Sequence, residues 1–92
     1  MLLSWREDPF VRLNRAVALA EIAGPAAALA EVESLDAPRL ADFQPFHAVR
    51  ADLLARLGRR EEALAAYDRA LALGPADAER RLLIRRRMDI QP

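Results

Sequence analysis

An all-α fold of about five helices is predicted by three features of this 92-residue sequence. Alanine, leucine, arginine and glutamate dominate it, with twenty alanines, and all four favour helix. Three glycines and six prolines punctuate it, leaving segments of roughly 11–16 residues, an ordinary helix length. Within those segments apolar residues recur at helical spacing: Phe10, Leu13 and Val17, then Leu53, Leu54 and Leu57, then Leu64, Tyr67 and Leu71. β-branched residues are few, so strands have little support.

Each helix carries its own boundary signals. Asp8 before Pro9 suits an N-cap followed by proline at the first helical position, and the first helix is expected to run to about Ala23. Gly24 can end it in a left-handed conformation, and Pro25 can begin a second helix over about 25–36. Asp36-Ala37-Pro38 breaks that helix. Asp42 is the expected N-cap of a third, with Pro45 tolerated in its first turn and Gly58 ending it. A fourth spans about 60–73, up to Gly74-Pro75. Glu61 and Glu62 in its first turn suit the helix dipole. Asp77 is the expected cap of a fifth helix reaching about Met88. There, Leu82, Leu83 and Met88 are expected to face inward, and Arg80, Arg81, Arg85, Arg86 and Arg87 to stay in water. Leu2, Leu3 and Trp5, within residues 1–7, read as the tail of a preceding helix.

Composition narrows the function. Cysteine is absent, which removes disulfides, cysteine metal sites and cysteine nucleophiles. No run approaches the ~18 apolar residues of a membrane span. The early charges Arg6, Glu7 and Asp8 do not fit a secretory signal, so a cytoplasmic setting is the default. All fourteen basic residues are arginine, against fourteen acids, and net charge is zero. That neutrality joins unlike halves: residues 1–46 sum to −3 and residues 47–92 to +3. His47 is the single histidine and has no second ligand to share a metal, so no metal and no cofactor are expected. Ser4 and Ser34 lie far from it in sequence, there is no glycine-rich phosphate loop, and no enzyme activity is expected.

Two halves of the chain match at an offset of 35. Arg15-Ala16 falls on Arg50-Ala51, Leu19-Ala20 on Leu54-Ala55, and Ala28-Leu29-Ala30 on Ala63-Leu64-Ala65. Ile22 falls on Leu57 and Val32 on Tyr67. The unit is two helices, with small residues where axes must approach. A period near 34 with this content points to helical repeats. The second pair, residues 42–74, resembles a tetratricopeptide (TPR) repeat over about residues 44–77. Ala51, Leu54, Gly58, Ala63, Tyr67, Ala70, Leu71 and Pro75 stand at its characteristic positions, while His47 and Arg50 depart from it. Residues 8–36 form a more degenerate first pair, and 77–88 a cap. The resemblance implies TPR-like hairpins in a right-handed α-α superhelix with a C-terminal capping helix.

The stretch from Pro9 to Ala18, the Gly24-Pro25-Ala26-Ala27 turn and the stretch from Pro45 to Arg59, in that order, resemble the C-terminal extension of a group of bacterial extracytoplasmic-function (ECF) RNA polymerase sigma factors. The promoter-reading regions of those proteins lie upstream of such an extension. The resemblance therefore implies a protein-interaction and regulatory domain that modulates transcription initiation. Its partners would be the upstream sigma regions of the same chain, RNA polymerase or another protein.

Mapped on the repeat, the partner groove would present Phe10, Leu13, Val17, Ala20 and Glu21 from one helix and Ala48, Asp52, Ala55 and Arg56 from another. An apolar strip of this kind marks a partner surface, unless a preceding helix covers Phe10 and Leu13 as ordinary core. Arg15 and Arg50, with Asn14 and His47 nearby, could bind an anionic group of a partner. The alternative is that each lies along the surface and pairs with a nearby carboxylate such as Glu21 or Asp52. Two further readings stand beside the regulatory one. One is a structural or oligomerisation domain, a homodimer through Leu2, Leu3 and Trp5 with Phe10. The other is accessory nucleic-acid contact through the arginine-rich last helix, disfavoured because no aromatics interleave with its arginines.

Overall fold

The computed structural model describes residues 9–35 and 40–91. Five α-helices account for most of them: α1 (Pro9–Ala23), α2 (Pro25–Glu33), α3 (Gln44–Arg56), α4 (Arg60–Ala72) and α5 (Asp77–Ile90). The all-α expectation holds. Residues 1–8, with the expected helix remnant and the Asp8 cap, lie outside the described residues, as do 36–39 at the expected break.

Each helix packs mainly on its neighbours in sequence, most extensively α3 on α4 and α1 on α2. α2 packs on α3 and α4 on α5, joining two hairpins and a fifth helix into one stack. Alanine permits this. Ala16, Ala28, Ala51, Ala63 and Ala70 are all fully shielded from solvent. A methyl at these positions lets neighbouring axes come close, and the larger side chains of Leu29, Val32, Leu54, Tyr67 and Leu83 fill the space beside them. Leu35 and Leu40, at either end of the α2–α3 connection, are also buried, Leu40 completely.

The helix ends show which local signals the chain uses. Gly58 has φ 77°. Its N–H donates to the Ala55 carbonyl and that of Arg59 to the Leu54 carbonyl, both at 3.0 Å. This is the paired Schellman closure, which needs a left-handed residue after the helix. Gly24 (φ 94°, ψ 166°) leaves only one residue between α1 and α2, and Pro25 opens the new helix. Such a backbone is open essentially to glycine alone.

Several boundaries differ from expectation. α2 stops at Glu33, where the Ser34 hydroxyl donates to the Glu31 carbonyl at 2.6 Å. Phe43, not Asp42, occupies the N-cap of α3. A turn in which the Phe43 N–H donates to the Leu40 carbonyl carries the chain into the helix there. Asp42 instead pairs with Arg69 at 3.2 Å. Pro45 does lie in the first turn of α3. Ala76, not Asp77, is the N-cap of α5, its carbonyl accepting from the Arg80 N–H at 2.8 Å. Asp77 serves in the first turn, where the dipole favours a carboxylate. At the start of α4, Arg59 forks onto Glu62 with two 2.8 Å bonds. This hydrogen bonding holds the Glu62 carboxyl below its usual range.

α5 runs two residues past Met88, and its inward face is not the expected one. Leu83 is buried and Ile90 packs on the core, seven residues apart on one face. Leu82 and Met88, turned off that face by the 100° step between residues, are 40% and 64% exposed.

Candidate functional site

A crease of about 280 Å³ opens between α1, α3 and α5. Its apolar lining comes from Val17 and Ala20 of α1 and from Pro45, Ala48, Val49 and Leu53 of α3. Helical periodicity explains the set. Val17 and Ala20 are three apart, and Ala48 and Val49 lie three to five residues from Pro45, Asp52 and Leu53. Charged groups cross this lining in a chain. Glu21 lies 3.9 Å from Arg56. Arg56 lies 3.0 Å from Asp52 on its own helix, and Asp52 lies 3.8 Å from Arg86 of α5. Glu79 adds a carboxylate and is held at 3.3 Å by the Gln44 amide.

Signs thus alternate from α1 across α3 to α5. All four side chains keep substantial exposure, so each pair contributes little to stability, about 0–1 kcal/mol. They remain available to exchange partners. Tyr67 of α4 is buried, 2% exposed. Burial, and then the Asp52 carboxylate, push its phenol above the ordinary value.

Of the expected groove residues, Val17, Ala20, Glu21, Ala48, Asp52 and Arg56 line this crease together. Leu13 does not: it is 3% exposed and part of the core. Phe10 packs edge-on against Phe43, ring centres 4.8 Å apart, and so braces the entry to α3. Ala55 borders a different depression, beside Gly58 and Ile90.

The expected polar cluster of Asn14, Arg15, His47 and Arg50 does not assemble. Asn14 and Arg15 are exposed on α1. Arg50 reaches across to α2 and pairs with Glu33 at 2.8 Å, a carboxylate not anticipated for it. His47 Nε2 lies 2.8 Å from the Ala41 carbonyl, and its ring meets Phe46 edge-on, which ties the helix to the preceding loop. No group of three or more His, Cys, Asp or Glu is placed to hold a metal ion among the described residues. No described helix is long and apolar enough to cross a membrane.

Sequence reasoning missed two contributions. The third wall, Glu79 and Arg86 of α5, shares one helix face at a spacing of seven, but that face was expected to keep its arginines in water. Arg12 was not singled out. It donates to Glu31 at 3.0 Å and to the Ser34 hydroxyl at 3.1 Å, binding α1 to the end of α2.

Comparison with known proteins agrees with this architecture. Residues 45–85 match the tetratricopeptide repeat family model, covering α3, α4 and the first part of α5. The chain therefore carries a tetratricopeptide repeat, which suggests a protein-binding domain. An uncharacterized protein of Rhizobium meliloti (strain 1021) is 47% identical over 82 residues. That match takes in 89% of this chain and 19% of the relative, so the chain spans about a fifth of the relative's length. No solved structure matches.

Proposed function

We propose that this chain is the protein-interaction and regulatory domain of an ECF-type RNA polymerase sigma factor. It acts by docking, through the crease, onto the sigma regions of its own protein or onto a separate protein partner, and it has no catalytic role. The observation that carries the docking reading is the crease itself. Its floor is apolar, its rim charges are exposed and weakly paired, and at about 280 Å³ it lies just below the usual range of small-molecule pockets. Such an open surface suits an apolar side chain from a protein segment, flanked by polar groups that exchange with the Glu21–Arg56–Asp52–Arg86 chain. The sigma-factor context rests on the resemblance carried by the sequence from Pro9 to Ala18 and from Pro45 to Arg59. In that arrangement the domain occupies a minor part of a longer regulator and biases its other regions by contact.

The test is titration of this chain with a separately produced polypeptide holding the sigma regions. Wild type should bind. Val17→Asp and Arg56→Glu should each weaken binding about tenfold or more, with the helical CD spectrum retained. Absence of binding at high micromolar concentration overturns the sigma-factor reading. Binding that both variants leave unchanged overturns the crease as its site.

A further inference from the structure

The outer face of α5 holds a second surface, distinct from the crease. Its inner face is spent: Leu83 is buried, Ile90 packs on the core, and Arg86 and Arg87 turn back onto Asp52 and Asp68. On the other side, Arg81 and Arg85 stand one turn apart, and Ile84 and Met88 one turn apart beside them, 39% and 64% exposed. Arg80 and Leu82, the latter 40% exposed, flank this stripe. Arg80, Arg81 and Arg85 make no ion pair among the described residues, whereas every other described arginine except Arg15 and Arg60 makes one.

We propose that the outer face of α5 binds an acidic amphipathic helix of a partner protein, laid alongside α5 as the next layer of the stack. Charge complementarity selects this occupant. Three guanidinium groups without an ion pair among the described residues offer forked donors to carboxylates, while Ile84 and Met88 between them ask for an apolar stripe. Methionine adapts its shape to such a stripe at little cost. Nucleic acid fits less well. Phosphates make no use of the exposed apolar side chains.

The probe is a fluorescent 20-residue helical peptide with leucines at i, i+3, i+4 and i+7 spacing flanked by glutamates. Two controls accompany it: a scrambled peptide of the same composition, and a short DNA duplex. Anisotropy should show salt-sensitive binding of the amphipathic peptide, at least tenfold tighter than the scrambled one. Ile84→Glu with Met88→Glu should abolish it. Arg81→Glu with Arg85→Glu should abolish it and create binding of the matching lysine peptide. Val17→Asp should leave it unchanged, which separates this surface from the crease. Since all four α5 positions are exposed or at the border of exposure, the double variants should retain the wild-type CD spectrum. The proposal is overturned by equal binding of the scrambled peptide, by failure of charge reversal to switch preference, or by no peptide binding at 0.1 mM, a concentration on the order of a weak specific Kd. Tighter binding of the duplex than of the peptide overturns it in favour of a nucleic-acid surface.

Discussion

The two helical pairs are built on one pattern and hold different places in the stack. Ala16 and Ala51, Ala28 and Ala63, and Val32 and Tyr67 occupy equivalent positions 35 residues apart, and all six are buried. Three other equivalent pairs diverge. Leu54 is completely buried and Leu19 only partly. Leu57 packs against the core, while Ile22 is 84% exposed. Arg50 pairs with Glu33, while Arg15 stays in water. The reason is position. α3 is flanked by α2 and α4, whereas α1 packs chiefly on α2. A residue buried by its own hairpin looks the same in both units; a residue buried by the next hairpin does not.

The largest test of this contrast is a matched leucine truncation. Leu54→Ala should cost about 2–5 kcal/mol and Leu19→Ala no more than about 1.5, because only the first opens a cavity among fully buried neighbours. Urea unfolding of both variants measures the difference, and equal losses would show that the two pairs are packed alike. The two turns come next. Gly24→Ala should cost about 1–3 kcal/mol, since its backbone is open essentially to glycine. Gly58→Ala should cost about 1–2 kcal/mol, as a left-handed residue with open space around it. Asparagine tolerates the left-handed region, so Gly58→Asn should recover much of the loss and Gly24→Asn should not. Thermal melts of the four variants rank these effects.

Alkaline pH sharpens the comparison further, because Tyr67 stands where the first pair has Val32. Its phenol is raised in the folded state, so the folded chain holds the proton more tightly than the unfolded chain does. Stability should be at its full value below the ordinary tyrosine pKa of about 10 and fall as pH rises beyond it. Chemical denaturation at pH 9 and above should show this decline, and Tyr67→Phe should flatten it. The smallest effects are at the arginines. Arg50→Ala should cost about 0.2–1 kcal/mol through loss of a partly exposed pair, and Arg15→Ala less than about 0.5. Equal and larger losses would mean that Arg15 has a structural partner in solution.

Much of the fold was legible because its signals are local. Gly24-Pro25, Gly58 and Gly74-Pro75 act through their own φ angles and missing N–H groups, so the helix breaks fell where expected. Caps were less legible. An aspartate can cap only if the chain enters the helix at that residue, and packing of Phe43 against Phe10 and the turn after the buried Leu40 moved that entry past Asp42. The crease was half legible. Repeat mapping found Val17, Ala20, Glu21, Ala48, Asp52 and Arg56, since α1 and α3 are equivalent helices. It could not find Glu79 and Arg86, whose helix repeats neither. It left Leu13 and Phe10 open between groove and core, because an apolar residue reads the same whether its cover is solvent or a neighbouring helix.

The residues alone determined that the chain would be helical, where it would turn, and that alanine would let its helices pack closely. These follow from propensity, glycine and proline geometry and spacing, all settled within a few residues. Tertiary structure decided which arginines pair, with Arg50 on Glu33, Arg86 on Asp52 and Arg87 on Asp68. It also decided which side of α5 faces the core and where the charged crease lies. Those depend on groups 17 to 34 residues apart coming within 4 Å, and a guanidinium on a helix surface has no preference among carboxylates until packing brings one within reach.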